Sequence, residues 1–412
     1  MNFAFNPYSL YNTSMVALIR TKYQASLAIC VATLFTSNAA GVSTSPVESS
    51  VRTRLSASSD VQWQESTPYI ADIKGKLHQT TLRPELQLHM QAFIAERGSP
   101  ISSVVVVDVL TGEVITMAQG RAPEKWGSAN HTALYNRFPA ASLFKTVVTT
   151  AALEMTPMAP DQSFGLHGGC GGQDITPTAT WMYDEGGSSM SLRRAFGHSC
   201  NGFFAKLAIN QLGIGAITRY AKFFGWESNI PIDIALEPSK MMPPPAANST
   251  THTVGRFAAG FGHVGISPMH AAWMATLIAN HGVAKPLRVL KNHGETDVIV
   301  SDTPIYSRQT ANRLMDMMRS TIHGGTASNT FGKGRYRSIA NEVGGKTGTL
   351  TGRTPEGLTS LFLGVYPVSA PRIAVASVVV LEDRYYFKAP QLAAEAIMAW
   401  KEQEIKRTHA VR

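Results

Sequence analysis

The chemistry this chain can do is concentrated in three short stretches. Ser142-Leu-Phe-Lys145 is the only Ser-x-x-Lys in the sequence. A serine hydroxyl is a poor nucleophile until a base removes its proton. A lysine kept from water, beside a second cation, can be neutral and serve as that base. Residues three apart on a helix share a face, so Lys145 can reach Ser142 one turn back. Alone, the same pattern would also arise from a capping serine and a surface lysine. Ser199-Cys200-Asn201 supplies a hydroxyl able to relay a proton and an amide able to donate and accept. Helix capping would use those residue types too, and Ser128-Ala129-Asn130 repeats the pattern among loop-like residues. Gly344-Gly345-Lys346-Thr347-Gly348-Thr349 sets a cation among hydroxyls and glycines. Lys346 can hold a carboxylate, Thr347 and Thr349 can hydrogen-bond it, and glycines such as Gly348 let a ligand approach the backbone. Read alone, this third stretch is also a plausible surface turn.

Patterning indicates the elements that must bring these stretches together. Thr146-Val-Val-Thr-Thr-Ala-Ala-Leu153 follows Lys145 without a breaker, so a helix opens near the serine. Thr81 as a cap and Pro84 at an early position predict a helix over 84–97, with Leu86, Leu88, Met90 and Phe93 on its apolar side. The β-branched run 103–110, the turn signal Thr111-Gly112 and the return 113–118 predict a hairpin. Two more strands are expected at 358–366 and 372–381, and an amphipathic helix over 389–406. The middle, about 140–335, reads as mainly helical with Gly and Pro interruptions. Strands at both ends of a helical middle imply one mixed sheet built from distant segments.

Composition narrows the class. A chain of 412 residues that is 44% hydrophobic, with 34 Gly and 3 Cys, is neither wholly disordered, collagen-like nor a disulfide-dense scaffold. No apolar run approaches ~18 residues, which excludes a polytopic membrane protein. Residues 1–40 contain no Asp or Glu, and Arg20 and Lys22 precede the apolar run 25–35 and then small residues. That order reads as a secretory signal with Ser37 and Ala39 at the cleavage positions; an uncleaved anchor helix is the other reading, and Met15 is a second candidate start. Residues 41–67 read as a flexible linker. The expected location is therefore exported, in the periplasm or cell envelope. The net charge of +9 comes without a Lys/Arg cluster or aromatic-basic interleaving, so no nucleic-acid partner is expected. A dispersed basic surface suits contact with an anionic wall or membrane surface. Cys170 and Cys200 remain after the signal, either as one disulfide or as two separate buried thiols. A bridge closing that loop would contribute roughly 3 kcal/mol.

In the order Ser142, Ser199, Lys346, the three stretches match the Ser-x-x-Lys, Ser-Asp-Asn and Lys-Thr-Gly set of β-lactamases and penicillin-binding proteins, with Cys200 in place of Asp. The chain resembles a penicillin-binding protein of the serine D,D-transpeptidase type over about residues 70–405. Further segments carry the resemblance: the hairpin 104–118, the stretch 258–272 running into 278–282, Gly325-Thr326-Ala327, and 361–367. The resemblance implies an α+β fold, with an antiparallel five-stranded sheet flanked by helices plus an all-helical subdomain, over residues 68–408. It also implies a D,D-transpeptidase or D,D-carboxypeptidase acting on the D-Ala-D-Ala stem peptides of peptidoglycan through an acyl-serine intermediate, without a cofactor and trapped by β-lactam antibiotics. Ser142 would attack, Lys145 would take its proton, and the backbone N–H groups of Ser142 and Thr349 would form the oxyanion hole. Ser199 would pass a proton to the leaving amine and Asn201 would orient the peptide. Lys346, Thr347 and Thr349 would hold the terminal carboxylate. The length leaves no room for an added glycosyltransferase domain or a large N-terminal pedestal.

Two rival readings use the same residues. A serine β-lactamase needs fast deacylation, yet no Glu-x-x-Leu-Asn lies between Ser199 and Lys346. The stretch 138–145 is similar to that of class D enzymes, whose second motif is usually Ser-x-Val, unlike Ser199-Cys200-Asn201. A non-catalytic β-lactam or muropeptide sensor would keep the motifs as well, but no signalling domain accompanies them. No metal motif such as His-Glu-x-x-His or Cys-x-x-Cys occurs, and His263 and His270 read as packing or rim histidines.

Overall fold

The computed structural model describes residues 52–55, 61–99, 101–120, 131–166, 170, 188–245, 250–291, 302–353, 355–381 and 387–410. The segment read as an export signal, most of the segment read as linker, and Ser128–Asn130 lie outside the described residues. The chain opens with a small antiparallel meander, β1 (Gln62–Gln64), β2 (Thr67–Ala71) and β3 (Leu77–Gln79). β1 falls within the stretch read as linker. Pairing with β2, with Trp63 opposite Pro68, makes this strand where no sequence period announces it. Thr53 and Leu55 also bridge to Ile234 and Asp72.

Helix α1 (Pro84–Glu96) begins on its proline, but Thr81 is not its cap. The Thr81 hydroxyl instead lies 2.8 Å from the carbonyls of both Val114 and Arg288, joining two distant segments. The hairpin β4 (Ser102–Asp108) and β5 (Val114–Gln119) follows, then β6 (Phe138–Pro139). A 3-10 turn, Ala141–Phe144, runs directly into α2 (Lys145–Met155). The helical middle comprises β7 (Ser163–Leu166), β8 (Ser188–Ser191), α3 (Leu192–His198), α4 (Asn201–Leu207), α5 (Gly213–Phe223), α6 (Thr251–Ala258), β9 (Gly265–Ile266), α7 (Pro268–Ala279), α8 (Arg308–Ile322) and α9 (Ser328–Phe331). The chain then returns as β10 (Gly344–Arg353), β11 (Glu356–Tyr366) and β12 (Ile373–Leu381), and closes with α10 (Ala389–Ala410).

The main sheet has the order β10-β11-β12-β4-β5, and every pairing is antiparallel. Patterning alone suggested a mixed sheet; short hairpins at both chain ends, closed by the β12–β4 pairing, make it antiparallel throughout. Side chains alternate across the sheet. Val104, Val106 and Val375 join Leu86, Phe93, Leu392 and Trp400 under α1 and α10. Val105, Val107 and Ala376 face the other way, against Met274 and Leu277 of α7 and the helical subdomain. All twelve residues of α7 are buried, as expected of a helix sandwiched between the sheet and the other helices. β10 is left as an edge strand, with its free side next to the helical subdomain. Among the described residues no helix is long and apolar enough to cross a membrane.

Candidate active site

The nucleophile candidate sits on a sharply bent turn. β6 pairs with β9, and the Ala140 N–H donates to the Val264 carbonyl at 2.8 Å. Ala141 then takes a left-handed φ of 46°, which throws Ser142 into the 3-10 turn. A non-glycine residue holds that conformation only where its surroundings enforce it. Gly260 is part of that enforcement: a Cβ there would collide with the Ala141 carbonyl. β10 packs along the same turn. Ser142 is 8% exposed and Lys145 is fully buried.

Ser199 ends α3 in a left-handed conformation, φ 57°, and Asn201 opens α4. Between them Cys200 is disulfide-bonded to Cys170, with the Cα atoms 4.9 Å apart. Of the two readings left open by composition, the bridge is the one realised. The Cys200 N–H also donates to the Ala195 carbonyl at 2.9 Å. The short helices on either side and the bridge fix the one backbone bend that aims both Ser199 and Asn201 at Lys145.

The Lys145 amine lies 2.9 Å from Ser142 Oγ, 2.8 Å from the Ser199 carbonyl and 3.3 Å from Ser199 Oγ, and it also bonds Asn201 Oδ1. A neutral amine has two N–H donors and one lone pair. The carbonyl of Ser199 and Asn201 Oδ1 can take the two donors, leaving the lone pair for the Ser142 proton. Lys346 reaches across from β10, with its Nζ 2.8 Å from Ser199 Oγ and 3.0 Å from the Thr347 carbonyl. The Ser199 hydroxyl thus stands between two amines. Burial, and then the positive charge of Lys346, hold the Lys145 amine well below the usual lysine range. Burial brings Lys346 down to about 7. Among the described residues neither lysine meets a carboxylate within ion-pair distance.

Thr347 is buried and its hydroxyl contacts that of Thr326; Gly348 pairs with Leu361, and Thr349 is exposed on the same face as Thr347. All the residues singled out in the three stretches therefore converge; Ser128–Asn130, which repeats the second pattern, lies outside the described residues. His270 is placed in the core, where it bonds Ser239 Oγ at 2.7 Å and the Phe224 carbonyl at 2.6 Å, and burial lowers it to about 4. His198 and His263 are exposed. Patterning missed the roles of Ala141, Gly260 and Thr326. Their only signal was membership of segments similar to the family, because the atoms they meet are remote in sequence.

The family model described as penicillin binding protein transpeptidase domain matches residues 102–399. The chain belongs to the penicillin-binding protein transpeptidase family. A peptidoglycan D,D-transpeptidase PbpA of Mycolicibacterium smegmatis is 26% identical over 76% of this chain and 68% of its own length. FtsI of Escherichia coli, also named a peptidoglycan D,D-transpeptidase, is 26% identical over 71% of this chain; the chain spans only 49% of that relative. The D,D-transpeptidase domain of a peptidoglycan glycosyltransferase from Eggerthella lenta superposes with a TM-score of 0.62, at 21% identity over 82% of this chain and 96% of that one. Penicillin-binding protein A of M. tuberculosis, solved as a ceftriaxone acyl-enzyme, gives 0.60 at 24% identity over 78% of each chain. At such identities the structural likeness supports the α+β transpeptidase fold, and the chemistry rests on this chain's own residues.

Proposed function

We propose that this chain is a peptidoglycan D,D-transpeptidase or D,D-carboxypeptidase that acts on D-Ala-D-Ala stem peptides and is acylated by β-lactams. The observation that carries the reading is the Lys145 amine, fully buried and 2.9 Å from Ser142 Oγ, with no carboxylate partner among the described residues. In the proposed sequence Lys145 takes the Ser142 proton as the oxygen attacks the carbonyl of the penultimate D-Ala. The N–H groups of Ser142 and Thr349 receive the oxyanion; one such donor typically contributes about 3 kcal/mol. Ser199, bonded to both lysines, returns a proton to the departing D-Ala amine. Asn201 keeps the Lys145 lone pair turned to Ser142, a role for its Oδ1 beyond orienting the peptide. Lys346, Thr347 and Thr349 hold the terminal carboxylate, Gly348 lets the strand lie close against Ala140 and Leu143 of the nucleophile turn, and the free edge of β10 offers backbone groups to an extended peptide. An amine then resolves the acyl-enzyme as a crosslink, or water resolves it as trimming. We further infer that residues 1–40 direct export to the periplasm or cell envelope, and that the tether read over 41–67 gives way to the domain where Thr53, Leu55 and β1 pair with it, the domain running on to about residue 408.

The test is intact mass after benzylpenicillin, followed over hours, with Ser142→Ala in parallel. The expected result is a persistent one-to-one adduct that Ser142→Ala lacks. An adduct that vanishes in seconds while drug is consumed would make the chain a β-lactamase. No adduct would overturn acyl-serine chemistry with these ligands.

A further inference from the structure

The turn after α8 carries a second-tier contact to the third motif. The Thr326 N–H donates to the Gly197 carbonyl at 3.1 Å, two residues before Ser199. The turn can approach α3 this closely because residue 325 is glycine: a Cβ there would collide with the carbonyls of Gly197 and Ser320. Ser320 Oγ lies 3.0 Å from the Arg193 carbonyl and 2.5 Å from the Met317 carbonyl, so α8 also lies close against α3 just before the turn. From this fixed position the Thr326 hydroxyl meets the Thr347 hydroxyl.

A hydroxyl has one proton to give. Thr326 has two acceptors in reach. One is the Gly197 carbonyl at 3.4 Å, which already receives the Thr326 N–H; the other is Thr347 Oγ1, which is much closer. Either hydroxyl can be the donor across that contact, and once an anion draws the Thr347 proton the contact is kept only if Thr326 donates to Thr347. Thr347 then accepts from Thr326 and keeps its own proton to donate elsewhere. In the reverse arrangement Thr347 would spend its proton on Thr326 and turn only lone pairs toward an anion. A hydroxyl that already accepts a hydrogen bond is also the stronger donor.

We propose that Thr326 is a positioning residue that sets the proton direction of Thr347, so that Thr347 donates to the carboxylate of the ligand. This rests on the functional reading above, in which Thr347 holds that carboxylate. Thr326 bonds both Gly197 and Thr347, so it also ties the backbone that leads to Ser199 to the strand that bears Lys346.

The test compares acylation rate constants of the full chain with benzylpenicillin and with its methyl ester, which lacks the anion. Thr326→Val is expected to lower the rate with benzylpenicillin about tenfold, the scale of one charge-assisted hydrogen bond. The ester rate should hold, so the acid-to-ester ratio falls by the same factor. Thr326→Ser should restore the ratio. In a Thr347→Val background, Thr326→Val should cost nothing further. An unchanged ratio in Thr326→Val, equal losses with both ligands, or additive losses in the double variant would overturn this role alone. Absence of acylation in the unaltered chain would overturn the functional reading and this role with it. If Thr326→Val melts lower than the unaltered chain, the Thr326→Ser ratio decides: a ratio left low in a variant of normal melting temperature overturns the proposal.

Discussion

The interior of the sheet and the two lysines of the cleft beside its edge strand are equally buried and are built on opposite terms. All nine residues of β12 are buried, and apart from Ser377 all are apolar. Ser377 is itself satisfied, donating to the Ala389 carbonyl at 2.7 Å. A few strands away, the fully buried side chains are Lys145 and Lys346, and two non-glycine residues, Ala141 and Ser199, hold left-handed backbone. Each such residue costs on the order of 1–3 kcal/mol unless its surroundings enforce it. Burial in the sheet removes apolar surface from water and stabilises the fold. Burial in the cleft, with the charge of Lys346 beside it, disfavours the protonated form of the Lys145 amine and makes a base. The comparison teaches that the well-packed layers on both faces of the sheet supply the rigidity that lets the cleft hold unfavourable states.

The contrast can be broken or sharpened by substitution. The largest expected effect is in the cleft. Lys145→Met should slow acylation by benzylpenicillin about 10²–10⁴-fold, the usual contribution of a positioned base. Its melting temperature should not fall, because an apolar chain replaces a buried amine. A collapse of stability would mean that Lys145 holds Ser199 and Asn201 in place and is structural first. The mirror experiment is Leu392→Ala, on the sheet-facing side of α10, where a fully buried leucine is truncated. Denaturant unfolding should show a loss of about 2–5 kcal/mol. Acylation of the folded fraction should be unchanged; a slowed rate would show that strain in this layer reaches the cleft.

The disulfide is the next effect in size. Pairing Cys170→Ser with Cys200→Ser frees a loop with a sequence separation of 30 and should remove about 3 kcal/mol of stability. Loosening of the bend at Ser199 should also slow acylation, measured alongside in reductant. Equal rates with and without reductant would show that α3 and α4 hold the bend unaided. The smallest effect is the response to pH. Acylation by a carboxylate ligand should rise as Lys145 loses its proton and fall above about pH 7 as Lys346 loses its own, by about tenfold per unit at most. Lys346→Arg, which stays charged, should remove the falling limb. The stability term has a definite sign as well. The folded state disfavours the Lys346 proton, so stability should rise with pH from about 7 toward the ordinary lysine value. A flat acylation profile in the unaltered chain would mean that Lys346 need not be charged.

The strands, the helices at both ends and the three chemical stretches were legible from residue order because each is a local matter. The run 103–110 is dense in β-branched residues and ends at the Thr111-Gly112 turn signal, Pro84 opens α1, and Ser142 and Lys145 are one turn apart. The sequence by itself determined which groups are available and in what order. Tertiary structure decided the rest. It made β1 a strand through β2, turned Thr81 from a cap into a staple between Val114 and Arg288, and made the sheet antiparallel through the β12–β4 pairing. It also chose the bridge for Cys170 and Cys200, brought Lys346 within 2.8 Å of Ser199, and set Thr326 against Thr347. The physical reason is that desolvation and hydrogen-bond geometry depend on atoms many residues apart. A lysine in a sequence has its ordinary proton affinity, and only the fold can take away the water that would keep it charged.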